Sequence, residues 1–163
     1  MTSADYLGAH GALSINPMNH AMLDDVMRIE GLAYPFPWKR SMFETSLSGK
    51  DSCLVLKLDG VLVGYAIVSY ILDEAHLLNI CIHPDYEGQG LGRALLKFLL
   101  SSAMQNQCSL FFLEVRVSNV RAIELYFSEG FNEVGIRPNY YPGNKGREDA
   151  VLMTLDLSVN EVV

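Results

Sequence analysis

"HPDYEGQGLGRALLKFLL", residues 83–100, places three glycines, Gly88, Gly90 and Gly92, within five positions just ahead of a strongly apolar helical run. Glycine loses more backbone freedom on folding than any other residue, so three fixed together must serve a purpose that side chains would obstruct. The stretch follows an apolar strand-like segment, "AHLLNICI" (75–82), which His83-Pro84 stops. Strand, glycine loop and helix in that order expose backbone N–H groups at a helix N-terminus with the helix dipole behind them. That arrangement suits a phosphate oxygen. A missing Cβ lets the backbone approach the anion and take positive φ.

Around this loop the chain reads as one α/β domain, 1–163, with a core of about 13–157. "ALSINPM" (12–18) reads as a first strand, and Asn19 as the cap of a helix through "HAMLDDVMRIEGLA", where Met22, Val26, Ile29 and Ala33 keep helical spacing. Pro35 and Pro37 break that helix, and "KRSMFETSLSG" forms a second, short one. "SCLVLKLDGVLVGYAIVSYIL" is two strands joined at Asp59-Gly60, a strong hairpin signal. "AHLLNICI" is then the fourth strand, and a helix follows over about 90–106. "SLFFLEV" (109–115), apolar on both faces, reads as a central strand. "NVRAIELYFSEG" is a helix stopped by Gly130, and two strands around the polar loop "PGNKGR" close the chain.

Half of the residues are hydrophobic and 19% are charged, which is globular composition. No apolar run approaches the 18 or so residues of a membrane span, and the first twenty residues lack the basic head and apolar block of a secretory signal. The net charge of −7 argues against general nucleic-acid binding and favours a cationic partner such as a basic peptide. Cys53, Cys81 and Cys108 have no metal-like spacing and read as reduced, buried residues of a cytoplasmic protein, so no metal is expected.

Three phosphate-binding designs compete for the loop. A nucleoside-triphosphate loop ends in Gly-Lys-Ser/Thr, whereas Gly92 is followed by Arg93-Ala94. A dinucleotide fingerprint starting at Gly88 needs glycine where Arg93 stands. "EGQGLG" fits the third, Gln/Arg-x-x-Gly-x-Gly/Ala, at Gly90 and Gly92, with Glu87 in the place of the usual Gln or Arg. It resembles the pyrophosphate loop for acetyl-coenzyme A (acetyl-CoA) in the GNAT N-acetyltransferase superfamily. "FPW", "LDEAHLLNICIHPDY", "LEVRVSNVRAIELYFSEGF" and "NYYPGNKGREDA" further resemble one branch, the bacterial ribosomal-protein-alanine N-acetyltransferases (RimI type).

The resemblance implies a GNAT fold, a mixed, mostly antiparallel sheet splayed at the fourth strand and flanked by helices. It implies acetyl transfer from acetyl-CoA to a protein N-terminal α-amine by direct attack on the thioester. Glu114 matches the general base and Tyr126 the general acid. Ile80, Cys81 and Ile82 match the strand backbone that binds the acetyl and pantetheine part. Gly88, Gln89, Gly90, Leu91, Gly92 and Arg93 match the pyrophosphate loop, and Asn119 a further coenzyme contact. The branch's acceptor is the N-terminal alanine of protein eighteen of the small ribosomal subunit, a basic protein.

The residues support these roles to different degrees. Glu114 interrupts an apolar strand, where an unpaired carboxylate is costly and burial favours the protonated form; the alternative is a strand-end carboxylate paired with Arg116. Asn119 and Tyr126 lie seven apart, on one helical face and roughly 10 Å apart along its axis; a tyrosine packed on the sheet fits Tyr126 as well. A backbone N–H of the fourth strand would stabilise an oxyanion. Cys81 invites an acetyl-cysteine route, but no histidine stands within a few residues to activate it.

An α-amine, with a pKa of about 7.7–8.0 against about 10.4 for lysine, costs about 3.4 kcal/mol less to deprotonate. Trp38, Tyr140 and Tyr141 are the candidate walls of a peptide groove, with simple packing as the other reading. Asp73 and Glu74 read as a solvated hairpin end, with contact to basic residues downstream in the acceptor as the other reading. A GNAT acting on lysine, a polyamine or a small molecule, or a non-catalytic coenzyme A-binding module, are the competing functions.

Overall fold

The computed structural model describes residues 4–8 and 11–158, with side chains from Ala12 onwards. In chain order its elements are β1 (Ala4–Gly8), β2 (Gly11–Pro17), a 3-10 turn (His20–Met22) and α1 (Leu23–Ala33). Next come α2 (Arg40–Ser48), β3 (Ser52–Leu58), β4 (Val61–Ile71), β5 (Glu74–Ile82) and a 3-10 turn (Pro84–Tyr86). Then follow α3 (Leu91–Gln105), β6 (Leu110–Arg116), α4 (Val120–Ser128), β7 (Asn132–Gly143) and β8 (Gly146–Asp156). The strand expected first is β2, because β1 pairs with it antiparallel from a segment that carried no sequence assignment. The expected fourth strand is therefore β5. Asn19 does stand at the start of the first helical segment, but its side chain makes no capping hydrogen bond and the first turn is 3-10.

The chain falls into two compact units. The first holds the residues up to Ser69 together with Asn79–Lys97. Its strands run in the order β1, β2, β3, β4, β5. Asp59 and Gly60 both take positive φ, +50° and +83°, the two-residue turn whose twist matches the β3–β4 hairpin. Cys53, Val55, Tyr65 and Ile67 share one face of that hairpin and pack with Leu23, Val26 and Ile29 of α1 and Phe43 of α2. The alternate residues Leu54, Leu56, Ala66 and Val68 are buried as well, so both faces of β4 are covered. Each fully buried large apolar side chain contributes about 1.5–3 kcal/mol.

The second unit holds Tyr70–Leu78 and the chain from Phe98 on. Its strands run β5, β6, β8, β7. β5 and β6 are parallel, from Glu74 opposite Leu110 to Leu77 opposite Leu113, and their register ends there, at the expected splay. β6 is central, but its burial alternates: Phe111, Leu113 and Val115 are buried, while Phe112, Glu114 and Arg116 are half-buried. The closing strands reach further than expected, so that "PGNKGR" contracts to a tight turn between Gly143 and Gly146.

Gly64 of β4 has no room for a side chain. A Cβ there would lie 2.8 Å from the Cys81 carbonyl oxygen and 2.8 Å from Ile82 Cδ1. Backbone oxygen cannot rotate aside, so β5 would have to shift. Gly64→Ala is expected to destabilise the fold by about 1–3 kcal/mol, read as a lowered thermal midpoint; an unchanged midpoint would show that β5 moves freely.

Candidate active site

The glycine loop has the geometry of an anion cradle. Gly88 and Gly90 take φ of +78° and +80°, which side chains disfavour. The Ala94 N–H donates to the Gly90 carbonyl at 3.0 Å, so α3 starts at Leu91 and the N–H groups of its first turn have no acceptor within the helix. A Cβ on Gly90 would meet nothing within 4 Å. Residues 87–90 are exposed, Glu87 included. The pyrophosphate of acetyl-CoA fits such a site: open space, left-handed glycines and an α-helix N-terminus coincide.

Behind β5 in the same unit lies a buried carboxylate that the sequence reading passed over. Glu30 is 2% exposed. Its Oε1 accepts from the Tyr65 hydroxyl at 2.6 Å and from Asn79 Nδ2 at 2.9 Å, and its Oε2 accepts from the Trp38 backbone N–H at 2.9 Å. The Tyr34 hydroxyl donates to the Ile80 carbonyl at 2.5 Å. Cys81 is buried beside Tyr65, and desolvation above all pushes its thiol up to about 12. The thiolate is the nucleophilic form, so an acetyl-cysteine route has no support here. Trp38 packs its ring 5.1 Å from Phe43 against the first unit's core.

In the second unit, direct register neighbours share a sheet face. Glu114 lies opposite Leu152, Arg116 opposite Ala150, Arg137 opposite Ala150 and Tyr141 opposite Glu148. These positions all fall on one face. Glu114 Oε1 pairs with Arg137 Nη2 at 3.3 Å. The Arg137 guanidinium stacks 4.8 Å over the Tyr140 ring, and burial first and the Glu114 carboxylate second push the Tyr140 phenol up. Tyr140 and Tyr141 meet edge-on with centroids 4.9 Å apart. Arg116 stacks 4.6 Å over Tyr141 and pairs with Glu148 at 2.9 Å. The alternative pairing of Glu114 with Arg116 gives way to Arg137 for Glu114 and Glu148 for Arg116. Carboxylate, guanidinium, ring, ring, guanidinium and carboxylate alternate in one connected row.

Tyr126 of α4 is 4% exposed. α4 ends in a Schellman turn: the Phe131 N–H donates to the Tyr126 carbonyl at 3.0 Å, with Gly130 at φ +98°. The Phe131 ring lies 5.6 Å from that of Tyr126. Burial first, and the nearby Tyr141 second, push the phenol well above its ordinary pKa, so Tyr126 stays protonated at working pH. Asn119 is the N-cap of α4 rather than part of its face; its Oδ1 accepts the Ala122 N–H at 3.3 Å.

Sequence reasoning missed Glu30, Arg137 and Glu148. Glu30 carried a signal, because it falls four residues after Val26 on the apolar stripe of α1. Arg137 and Glu148 carried none, since their partners depend on the β6–β8–β7 register. Among the described residues no cluster of His, Cys, Asp or Glu could hold a metal ion, and no helix is long and apolar enough to cross a membrane.

The first unit carries an α-helix N-terminus open to an anion, and the second a carboxylate on β6 and a buried phenol on α4. The chain belongs to the acetyltransferase (GNAT) family, whose model matches residues 23–131, and is an acetyltransferase. It is 42% identical over 146 residues to the [ribosomal protein bS18]-alanine N-acetyltransferase of Escherichia coli K12, covering 90% of this chain and 99% of that one. The crystal structure of the ribosomal-protein-S18-alanine N-acetyltransferase from Escherichia coli superposes with a TM-score of 0.84 at 41% identity, covering 89% and 94%. An acetyltransferase from Salmonella typhimurium, solved with its cofactor acetyl-CoA, shares the fold at 21% identity, with a TM-score of 0.73 and coverage of 89% and 94%.

Glu148 is held below the ordinary carboxylate range, chiefly by hydrogen bonding to Ser118 and then by Arg116. A depressed folded pKa contributes stability that is present above the ordinary range and lost as pH falls through the folded value. Glu148→Gln is expected to flatten the fall in stability on acidification relative to wild type, measured by urea unfolding across acidic pH. Parallel curves would remove this residue from the acid response.

Proposed function

We propose that the enzyme transfers the acetyl group of acetyl-CoA to the α-amine of an N-terminal alanine, on the ribosomal protein that its relatives modify, in the cytoplasm. The observation that carries this reading is 42% identity to an enzyme of that name across 99% of its length. The site chemistry supports it. The whole chain, 1–163, acts as one N-acetyltransferase domain with a core of about 13–157.

In this reading the backbone of Gly88, Gln89, Gly90, Leu91, Gly92 and Arg93 holds the pyrophosphate. Ile80, Cys81 and Ile82 line the acetyl and pantetheine part, and Asn119 adds an amide contact. Acetyl-CoA supplies an activated thioester carbonyl. Glu114 takes the proton of the acceptor amine, whose nitrogen forms a bond to the carbonyl carbon as the carbon–sulfur bond breaks. Tyr126 gives its proton to the departing sulfur; a phenol this basic does so in concert with bond breaking. Tyr140 and Tyr141, beside Glu114, flank the incoming peptide, and Trp38 contributes from its place on the first unit. A basic peptide also suits a chain of net charge −7.

Glu114→Gln and Tyr126→Phe are each expected to lower kcat by about 10²-fold or more while acetyl-CoA affinity stays the same, by steady-state transfer and calorimetry. An unchanged rate in either variant removes that residue from the mechanism. The acceptor is tested by mass spectrometry on three substrates in competition: a basic peptide with free N-terminal alanine, its N-blocked lysine-containing twin, and a polyamine. Acetylation of the free-alanine peptide alone is expected. Transfer to either competitor overturns the alanine assignment, and acetyl-CoA binding without any transfer favours a binding module.

A further inference from the structure

Between Arg137 and Tyr141, β7 takes four steps while β8 takes two, from Ala150 to Glu148. Two residues therefore leave the ladder, and Asn139 within this outpouching holds φ at +52°. Backbone groups that lose strand partners need others. Here they come from two side chains of β8. Asp149 Oδ1 accepts the Asn139 N–H at 2.9 Å. Arg147 Nε donates to the Asn139 carbonyl and its Nη2 to the Tyr140 carbonyl, each at 2.8 Å. One guanidinium fork thus spans two successive carbonyls, which a lysine cannot reproduce.

The residues so held are the two whose rings stand beside Glu114. Tyr140 follows Asn139 directly, and Tyr141 is where the ladder resumes. On the far side of the outpouching Arg116 Nη1 donates to the Pro142 carbonyl at 2.6 Å. The shape of the Tyr140–Tyr141 wall is thereby set by charged side chains, not by strand pairing.

We propose that Arg147 and Asp149 are positioning residues for the acceptor peptide: they brace the β7 outpouching, fix Tyr140 and Tyr141 relative to Glu114, and so govern which N-terminal residue the enzyme accepts. The inference rests on the reading of Tyr140 and Tyr141 as the peptide's flanks. Neither positioning residue takes part in proton transfer, so their loss acts on acceptor recognition and leaves acetyl-CoA binding alone.

The test compares wild type with Arg147→Lys and Asp149→Ala, using acetyl-CoA and two basic peptides that begin with alanine or with leucine. Peptide KM is expected to rise about tenfold in each variant, with a smaller change in kcat. The preference for alanine over leucine is expected to shrink, and acetyl-CoA affinity and the thermal midpoint are expected to hold. Should a variant unfold, Asn139→Gly provides the second readout: it keeps the positive φ without strain and loosens the outpouching, and the same loss of peptide preference is expected. Unchanged peptide KM and preference in folded variants overturn the proposal, as does a fall confined to kcat. A wild-type enzyme that acetylates neither peptide overturns the underlying reading of the function, a result distinct from both.

Discussion

Glu30 is the interaction on which the first unit depends. Taking a carboxylate out of water costs several kcal/mol, and a structure keeps one at 2% exposure only when its oxygens are fully engaged. Here the donors come from the turn after α1 (Trp38), from β4 (Tyr65) and from β5 (Asn79). Removing the carboxylate would strand three donors from three elements at once. With Tyr34 on the Ile80 carbonyl, this network pins the backbone of β5 where the resemblance places the acetyl-binding strand. Apolar packing around Phe43 and Tyr65 fills the space, but non-directional packing does not fix a strand's rotation. Directed hydrogen bonds do.

The second unit solves a related problem at its surface with the opposite tactic. Its charges are part-buried, Glu114, Arg116 and Glu148 at 19% and Arg137 at 50% side-chain exposure, and each is still in reach of water and interleaved with rings. What the row from Glu114 to Glu148 gains is mutual orientation: each guanidinium is fixed by one carboxylate and one ring face. Tyr126, near Tyr141 of that row, is held instead by a helix end whose geometry is closed by Gly130 and Phe131. Base and acid candidates therefore rest on different kinds of support, a polar surface network and an apolar cap.

Local features were legible because local chemistry dictates them. Asp59-Gly60 could form a primed turn, Gly130 could end a helix, and Gly88 and Gly90 could adopt left-handed backbone, and each does. The fold class followed from the order of such segments. Partners across strands were not legible, because they depend on register, and β7 slips register twice against β8. That is why Arg116 stood as the alternative partner of Glu114, whereas the strand geometry gives Glu114 the guanidinium of Arg137. The capping role of Asn119, whose Oδ1 accepts the Ala122 N–H, was not read from the sequence, although a place just ahead of a helix is the usual signal for a cap.

The buried sulfur of Cys81 has a chemical consequence. Thiolates and thioesters trade acyl groups without assistance, so a reactive cysteine near a bound donor would drain it into a covalent dead end. Burial pushes Cys53 up to about 11 and Cys81 up to about 12, and raises Cys108 too. At neutral pH almost none of this sulfur is ionised. The chain's three buried thiols are thus silent bystanders to any acyl donor, and none of them competes with an acceptor for the acyl group.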